Sequence, residues 1–206
     1  MHRPGHEGYR ILRASVADAP AIARIHVDVW RSAYRNILPD AFLDSLSYDQ
    51  RTDLWRKVLS DPGPRHIFLA REEAGPVIGF GLGSRLATPY SGFTSELDAV
   101  YVLEAHQRRG VGSGLVHAVA DVLVEEGLGS MFTWVFAENP ARRFYERLGG
   151  RAFDLRTIEI AGRRVDEVGI GWDDLLASAR PNPPGQTLGE DRAARVNPTS
   201  ASAARL

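Results

Sequence analysis

The segment that most constrains the fold is a glycine-rich turn between an apolar run and a helical stretch. It consists of Gln107-Arg108-Arg109-Gly110-Val111-Gly112-Ser113-Gly114, directly after the apolar residues Leu97 to Leu103. Glycines let the backbone approach a ligand closely, and the amides and positive dipole at the start of a helix favour an anion. Arg108 and Arg109 add cationic donors suited to phosphate. The pattern predicts a strand, a pyrophosphate-binding turn and a helix.

Two well-known phosphate motifs do not fit these glycines. A dinucleotide fingerprint needs Gly-x-Gly-x-x-Gly after the first strand of a βαβ unit, with an acidic residue about 20 residues further on. Here the spacing is Gly-x-Gly-x-Gly, halfway through the chain, and no Gly-Lys-Ser/Thr follows as a Walker loop requires. Because Gly-x-Gly alone is weak evidence, a merely structural turn from strand to helix stays open as an alternative.

Hydrophobic periodicity along the chain predicts the order β-α-α-β-β-β-α-β-α-β-β. An order of this kind gives a mixed sheet covered by helices. The predicted elements are a strand at 9–13, a helix capped by Ser15 or Asp18, one helix between Pro39 and Leu59, strands at 66–71, 77–86 and from 97, a helix to about Glu126, a strand at 131–136, a helix near Tyr145, and a hairpin of 152–160 and 165–172.

A second segment makes the glycine-rich turn much more specific. It is Asn139-Pro140-Ala141-Arg142-Arg143-Phe144-Tyr145-Glu146-Arg147-Leu148-Gly149. With Gln107, Gly110 and Gly112, which match Gln/Arg-x-x-Gly-x-Gly/Ala, the chain resembles the GNAT superfamily of acyl-CoA-dependent N-acyltransferases. The resemblance covers roughly residues 9 to 172. It implies an α/β (α+β) fold, a mixed, mostly antiparallel twisted sheet of about seven strands with helices on both faces.

Composition limits the other classes of protein. With 206 residues and 44% hydrophobic residues, we expect one domain over residues 1–177. A Pro/Ala-rich stretch poor in large apolar residues predicts a disordered tail over 178–206. The net charge of −1 argues against a nucleic-acid partner, and the lack of an 18-residue apolar run or a signal-peptide core predicts a cytoplasmic protein without a membrane segment. The absence of cysteine excludes disulfides and a cysteine acyl relay, and the six histidines lack metal-ligand spacing.

The resemblance implies acetyl-CoA as the acyl donor. Its pantetheine arm would pair like an added strand with Val100, Tyr101 and Val102, while its phosphates would lie on the turn. Asn139 lies six residues before Tyr145, whereas the family often has seven and Glu138 occupies that place here, so an N-cap role is the alternative for Asn139. The candidate coenzyme-binding residues are Val100, Tyr101, Val102, Gln107, Arg108, Arg109, Gly110, Val111, Gly112, Ser113, Gly114, Asn139, Arg142 and Tyr145.

Acylation of an amine by a thioester needs a deprotonated amine and a protonated leaving thiolate. By resemblance, Tyr145 would lie near the coenzyme sulfur as the acid, and its ordinary pKa of about 10 keeps it protonated at neutral pH. It shares a helical face with apolar residues, so a core role is the alternative. Glu96 is the first candidate base. It and Asp98 are two residues apart in a strand and are expected on one face, with ordered water as the alternative base.

The acceptor is expected to bind at the two early helices, with Trp30, Tyr34 and Asp98 as candidate substrate-binding residues. The sequence therefore predicts an N-acetyltransferase acting by direct attack in a ternary complex, on a small-molecule or peptide amine, as a monomer or homodimer. Two alternatives stay open: a non-catalytic acyl-CoA-binding regulatory module, and a structural or partner-binding domain. No metal is expected.

Overall fold

A computed structural model describes residues 8–178 of the chain, and the predicted disordered tail beyond Ser178 lies outside the described residues. This part of the chain forms seven strands and six α-helices. In order they are β1 (Tyr9–Arg13), α1 (Ala19–Ala33), α2 (Asp40–Ser45), α3 (Tyr48–Ser60), β2 (Arg65–Glu72), β3 (Val77–Tyr90), β4 (Phe93–Val102), α4 (Val111–Glu125), β5 (Met131–Phe136), α5 (Arg142–Arg147), β6 (Arg151–Ile160), β7 (Arg163–Trp172) and α6 (Leu175–Ser178).

The seven strands form a single mixed sheet in the order β1-β2-β3-β4-β5-β7-β6. Every neighbouring pair is antiparallel except β4 and β5, which are parallel and are joined through α4. A parallel pair of strands needs a crossover connection of this kind, which α4 provides here. The expectation of a mixed, mostly antiparallel sheet of about seven strands is confirmed.

Helices cover both faces of this sheet. On one face, α1 and α3 pack against β2, β3 and β4 through a core that includes Trp30, Trp55 and Phe80, all fully buried. On the other face, α4 packs against the same strands through Leu115 and Val119. Burial of these apolar side chains is the main favourable contribution to folding, at roughly 25 cal/mol per Å². The apolar stripe of α1 and the almost wholly apolar α4 explain why each helix lies where it does.

The register of β4 contains the irregularity that positions the functional site. Leu82 of β3 pairs with Ala99, and the next residue, Gly83, pairs with Leu97, so Asp98 is an extra residue in β4. A β-bulge of this kind bends its strand and increases the local twist. On its other side, β4 pairs with β5 at Ser95–Met131 and Glu96–Phe132, near the start of both strands. The later residues of these two parallel strands border a gap.

Two details of the predicted elements are wrong. The single helix expected between Pro39 and Leu59 is two helices, because Leu46 is extended and the Ser47 hydroxyl accepts a hydrogen bond from the Gln50 amide, which caps a new helix. The third and fourth strands are also longer than predicted. They meet at Tyr90–Phe93 around a tight turn at Ser91 and Gly92, both with positive φ.

Candidate active site

A cavity of about 650 Å³ fills the gap where β4 and β5 diverge. Its walls are residues 98–102 of β4 and 133–136 of β5, and it continues from the glycine-rich turn before α4 to the second half of α1. Because the backbone groups of diverging strands lack a partner strand, an extended ligand can pair with them. The cavity therefore offers an extended slot with the glycine-rich turn before α4 at one end.

The turn at the start of α4 has the geometry that the glycines predict. Gly110 has φ of +81°, which a residue without a side chain adopts readily, and Arg108 also lies in the left-handed region at +58°. The Gln107 side-chain amide donates to the carbonyl of Val102 at 3.1 Å and so joins the turn to the end of β4. The Ser113 hydroxyl donates to the carbonyl of Gly110 at 2.9 Å. The first amides of α4 have no partner within the helix and are available to phosphate oxygens.

The arginines near the turn have different surroundings. Arg108 lines the cavity. Arg109 lies 3.8 Å from the Glu72 carboxylate, which also contacts His106 at 3.3 Å. Arg142 is paired with Glu146, four residues along α5, at 2.7 Å. Of these three arginines, Arg108 is the one whose position suits contact with a ligand in the cavity.

Tyr145 lies on α5 and lines the cavity, and 8% of its surface is exposed. Its ring packs edge-on against Trp172 with centroids 6.1 Å apart. Burial, followed by the nearby Tyr101, raises the pKa of Tyr145 above its ordinary value, so its hydroxyl is a proton donor throughout the neutral range. The residue is thus both packed and accessible from the cavity.

Asn139 also lines the cavity, at the entry to α5. Its side-chain oxygen accepts a hydrogen bond from the backbone amide of Ala141 at 2.9 Å, and its backbone amide donates to the carbonyl of Phe136. These bonds have the geometry of a helix-entry turn. They hold α5, and Tyr145 with it, against the end of β5.

Two more tyrosines lie close to Tyr145 across the cavity. Tyr34, directly after α1, and Tyr101 of β4 lie close enough for each hydroxyl to affect the pKa of the other. The indole of Trp30 donates to the Tyr101 hydroxyl at 3.0 Å. Burial raises the pKa of Tyr34 and Tyr101, so both hydroxyls are neutral hydrogen-bonding groups. Both tyrosines and Trp30 line the cavity.

The two candidate acids of β4 have different surroundings. Glu96 is 2% exposed, and burial together with the nearby Asp98 raises the pKa of its carboxyl well above the ordinary range. Asp98 lines the cavity and accepts a hydrogen bond from the Ser84 hydroxyl at 2.9 Å. Burial raises the pKa of Asp98 as well, against the opposing effects of Ser84 and Arg65. The bulge at Asp98 interrupts the strict alternation from which a common face was expected.

The sequence prediction missed two acids that line the cavity, of which Glu104 is exposed. The other is Glu167 of β7. It is 2% exposed, and its Oε2 accepts hydrogen bonds from Arg156 of β6 at 2.7 Å. The Arg156 guanidinium also stacks over the Trp134 ring, 3.9 Å from its centroid. A signal was present, because Glu167 lies between Val165 and Gly169 on one side of the strand, and an acid among such residues is expected to face something polar.

The structure brings most of the predicted site residues to one cavity. Those that line it are Trp30, Tyr34, Asp98, Val100, Tyr101, Val102, Gln107, Arg108, Gly110, Gly112, Ser113, Asn139 and Tyr145. Five predicted residues are not part of the lining within residues 8–178: Glu96, Arg109, Val111, Gly114 and Arg142. Val111 and Gly114 are buried in α4 and shape the turn from behind.

Two further surveys concern the described residues 8–178 as a whole. Their histidines and carboxylates form no group of three or more that could hold a metal ion. None of their helices is long and apolar enough to span a membrane.

Comparison with known proteins agrees with this geometry. Residues 26–150 match the family model described as the acetyltransferase (GNAT) family. A Bacillus subtilis (strain 168) protein named "Uncharacterized N-acetyltransferase YuaI" is 37% identical over 167 residues, which span 81% of this chain and 94% of that protein.

Solved structures share the fold at lower identity. The acetyltransferase yncA of Salmonella typhimurium, solved with acetyl-CoA, is 24% identical with a TM-score of 0.61, over 85% of this chain and 99% of that chain. The paia N-acetyltransferase of Thermoplasma acidophilum, solved with coenzyme A, is 14% identical with a TM-score of 0.58, over 78% and 97%.

Proposed function

This chain belongs to the acetyltransferase (GNAT) family, and on that premise we propose that it transfers an acetyl group from acetyl-CoA to a primary amine by direct attack in a ternary complex. The observation that carries the proposal is the continuous cavity from the anion-binding turn at Gly110 to the tyrosine on α5. Two solved relatives in fold contain coenzyme A or acetyl-CoA, which supports the same donor here.

The donor would bind along β4. The backbone of Val100, Tyr101 and Val102 is the edge for the pantetheine arm, and the amides that follow Gly110 face the pyrophosphate. Arg108 supplies a cation beside these amides, and Gln107 holds the turn to β4. This arrangement would place the thioester in the gap between β4 and β5, within the same cavity as Tyr145.

The chain's own residues would manage the two protons of the reaction. The amine must lose a proton as its nitrogen attacks the thioester carbon, and the Glu96/Asp98 pair, in which burial raises the pKa of both carboxyls above their ordinary range, is proposed to receive it. Asp98 lines the cavity, and Glu96, which does not, would receive the proton through a water. As the carbon–sulfur bond breaks, Tyr145 donates its proton to the leaving thiolate. No cysteine exists in the chain to carry an acyl-enzyme intermediate by that route, which favours direct transfer.

The donor site is tested by Gly112→Asp. A Cβ at Gly112 would lie 3.2 Å from the Phe144 ring, and the added carboxylate would occupy the turn that is proposed to hold phosphate. Calorimetric affinity for acetyl-CoA is expected to fall about 100-fold or more, since each 1.4 kcal/mol of repulsion is a factor of ten. The matched control is Gly129→Asp, where an added Cβ meets nothing within 4 Å, and its affinity should stay at the wild-type value.

Turnover is tested separately by the release of CoA thiol across a panel of amines. Binding of acetyl-CoA without thiol release from any amine would favour a coenzyme-binding regulatory module. Failure to bind acetyl-CoA, in wild-type protein shown to be folded, would favour a structural domain and would reject the proposed donor.

A further inference from the structure

The end of the cavity farthest from the anion-binding turn is built differently from the coenzyme end. Its walls are aromatic, from Trp30 of α1, from Tyr34 directly after it and from Trp134 and Phe136 of β5. The Tyr34 and Phe136 rings lie 4.9 Å apart in an edge-on arrangement. Aromatic walls of this kind bind apolar groups and attract cations to their ring faces.

One buried acid belongs to these aromatic walls. Glu167 pairs in register with Phe136 on one side and with Arg156 on the other, so these three residues form a row across β5, β7 and β6. Glu167 lines the same cavity as Tyr34, Tyr101 and Tyr145, and its carboxylate contributes to the raised pKa of Tyr34 and Tyr101. A carboxylate in this row lies beside the proposed reaction centre.

Arg156 holds this carboxylate in position without lining the cavity itself. Its guanidinium bonds Oε2 of Glu167 with two nitrogens, Nε and Nη2, both at 2.7 Å, and it is fixed from the other side by the Trp134 ring. Glu96 lies within electrostatic range of both members of the pair. One guanidinium therefore lies near two buried carboxyl groups.

Charge on the rest of the lining distinguishes classes of acceptor. Among the described residues, the arginines that line the cavity are Arg108 and Arg147, which belong to the turn and to α5 at the coenzyme end. A carboxylate on the acceptor would instead meet Asp98 and Glu167. The lining favours an acceptor that has an ammonium group and an apolar stem and that lacks a carboxylate.

We infer that Glu167 is the acceptor-binding residue of this site, and that the acceptor is a primary amine on an aromatic or other apolar stem. The inference rests on the proposed acetyl transfer and adds the class of amine to it. Glu167 would bind the ammonium group and direct its nitrogen toward the gap between β4 and β5. The apolar stem would lie against Tyr34, Trp134 and Phe136.

The test compares amines that differ by one group. The wild-type protein is assayed by thiol release with 2-phenylethylamine, with phenylalanine, which adds a carboxylate to the same stem, with ethanolamine, which lacks the stem, and with a short peptide bearing a free N-terminus. The kcat/KM for 2-phenylethylamine is expected to exceed each of the others by about 10-fold or more, as one charged contact or one buried ring permits.

Variants of the pair then test the role of Glu167. Glu167→Gln should raise the KM for 2-phenylethylamine about 10- to 100-fold, with a smaller change in kcat. It should also lower the ratio of kcat/KM for 2-phenylethylamine to kcat/KM for phenylalanine. Because this variant leaves Arg156 without its charged partner, the double variant Arg156→Met/Glu167→Met removes both members and should show the same loss. Asp166→Asn is the matched control. It removes a charge from the adjacent, exposed residue, which accepts from Thr157, and should behave as wild type.

The outcomes separate the two proposals. If the wild-type protein binds acetyl-CoA yet releases no thiol with any of the four amines, the proposed function fails and this inference fails with it. If the wild-type protein acetylates ethanolamine, phenylalanine or the peptide better than 2-phenylethylamine, the inference alone is overturned. An unchanged KM and an unchanged preference in the folded Glu167 variants would overturn it in the same way.

Discussion

Burial of His26 makes the stability of this protein depend on pH in a way that can be calculated. The side chain is 1% exposed, on the inner face of α1, with the rings of Trp30 and Tyr101 about 5.4 and 5.5 Å away. Its Nδ1 accepts a hydrogen bond from the Trp55 indole at 3.2 Å, so Nε2 carries the proton of the neutral ring. Burial, with a smaller contribution from Arg51, lowers the pKa of His26 from 6.5 to about 3.

The sign of the effect follows from proton binding. Below pH 6.5 the unfolded chain protonates this histidine while the folded chain does not, so stability falls as the pH falls, until the folded pKa near 3 is reached. Integrating the proton linkage from pH 7.5 to pH 5 gives a loss of about 2 kcal/mol from His26 alone. Glu96 and Asp98 act in the opposite direction, because their raised pKa values make the folded chain bind more protons as the pH falls.

The comparison with His26→Gln isolates the histidine from these carboxyl groups. Glutamine does not titrate, and its side-chain oxygen can accept from the Trp55 indole. Urea unfolding of both proteins at several pH values between 7.5 and 5 gives the difference in the free energy of unfolding. We expect this difference to shift by about 2 kcal/mol against the wild-type protein at the lower pH. A difference that stays constant over this range would refute the buried, neutral His26.

Three further substitutions test other parts of the account. Tyr145→Phe should lower kcat about 10- to 1000-fold with acetyl-CoA affinity little changed, in a comparison at saturating acetyl-CoA, and wild-type turnover would leave Tyr145 a packing residue. Glu96→Gln should lower kcat about 100-fold or more. It should also remove one ionisation from the rise of kcat/KM with pH, since the Glu96 carboxyl must be deprotonated to accept the amine proton. An unchanged pH profile of kcat/KM would exclude Glu96 as the base. Gly83→Ala should destabilise the fold by about 1–3 kcal/mol in urea unfolding, because the added Cβ would approach Val119 of α4 far too closely. Gly129→Ala, whose Cβ would meet open space, should leave the free energy of unfolding unchanged. Equal free energies of unfolding for the two variants would contradict the packing of α4 on β3.

Local patterns were enough to predict the seven strands and the turn that begins α4, although not the division of the second early helix into α2 and α3. The turn at Gly110 requires a backbone conformation that glycine adopts readily, and the neighbouring residues fix the strand before it and the helix after it. Periodicity likewise identified α1, and the resemblance of the segment from Asn139 to Gly149 identified the tyrosine-bearing α5. These features depend on residues a few positions apart, which is the range over which sequence patterns are informative.

Features that depend on tertiary pairing could not be predicted in this way. The bulge at Asp98 is defined by the register with β3, and the divergence of β4 from β5 depends on pairing between residues far apart in the chain, such as Ser95 and Met131. Arg108 and Arg109 are adjacent arginines that the sequence does not distinguish. Arg109 lies beside Glu72, which is distant in the chain, and it is not part of the cavity lining. Glu167 was missed because its place in the site depends on the sheet order that sets β7 beside β5.

The missed helix boundary has a different cause. The sequence around Ser47 contains a capping signal, with the serine hydroxyl three residues before Gln50, that was not recognised within a longer helical pattern. Recognising it would have divided the predicted helix into α2 and α3. The residues around Ser47 therefore contain the information that separates α2 from α3.

The central claim is that the chain moves an acetyl group from acetyl-CoA to a primary amine within the cavity between β4 and β5. The most direct measurement follows both products of a single incubation, CoA thiol by colorimetry and N-acetylated amine by mass spectrometry, for the wild-type protein and for Gly112→Asp. The wild-type protein is expected to give equal amounts of the two products, and the variant is expected to lose both. Release of thiol without acetylated amine, or equal acetylation by a folded Gly112→Asp protein, would contradict the central claim.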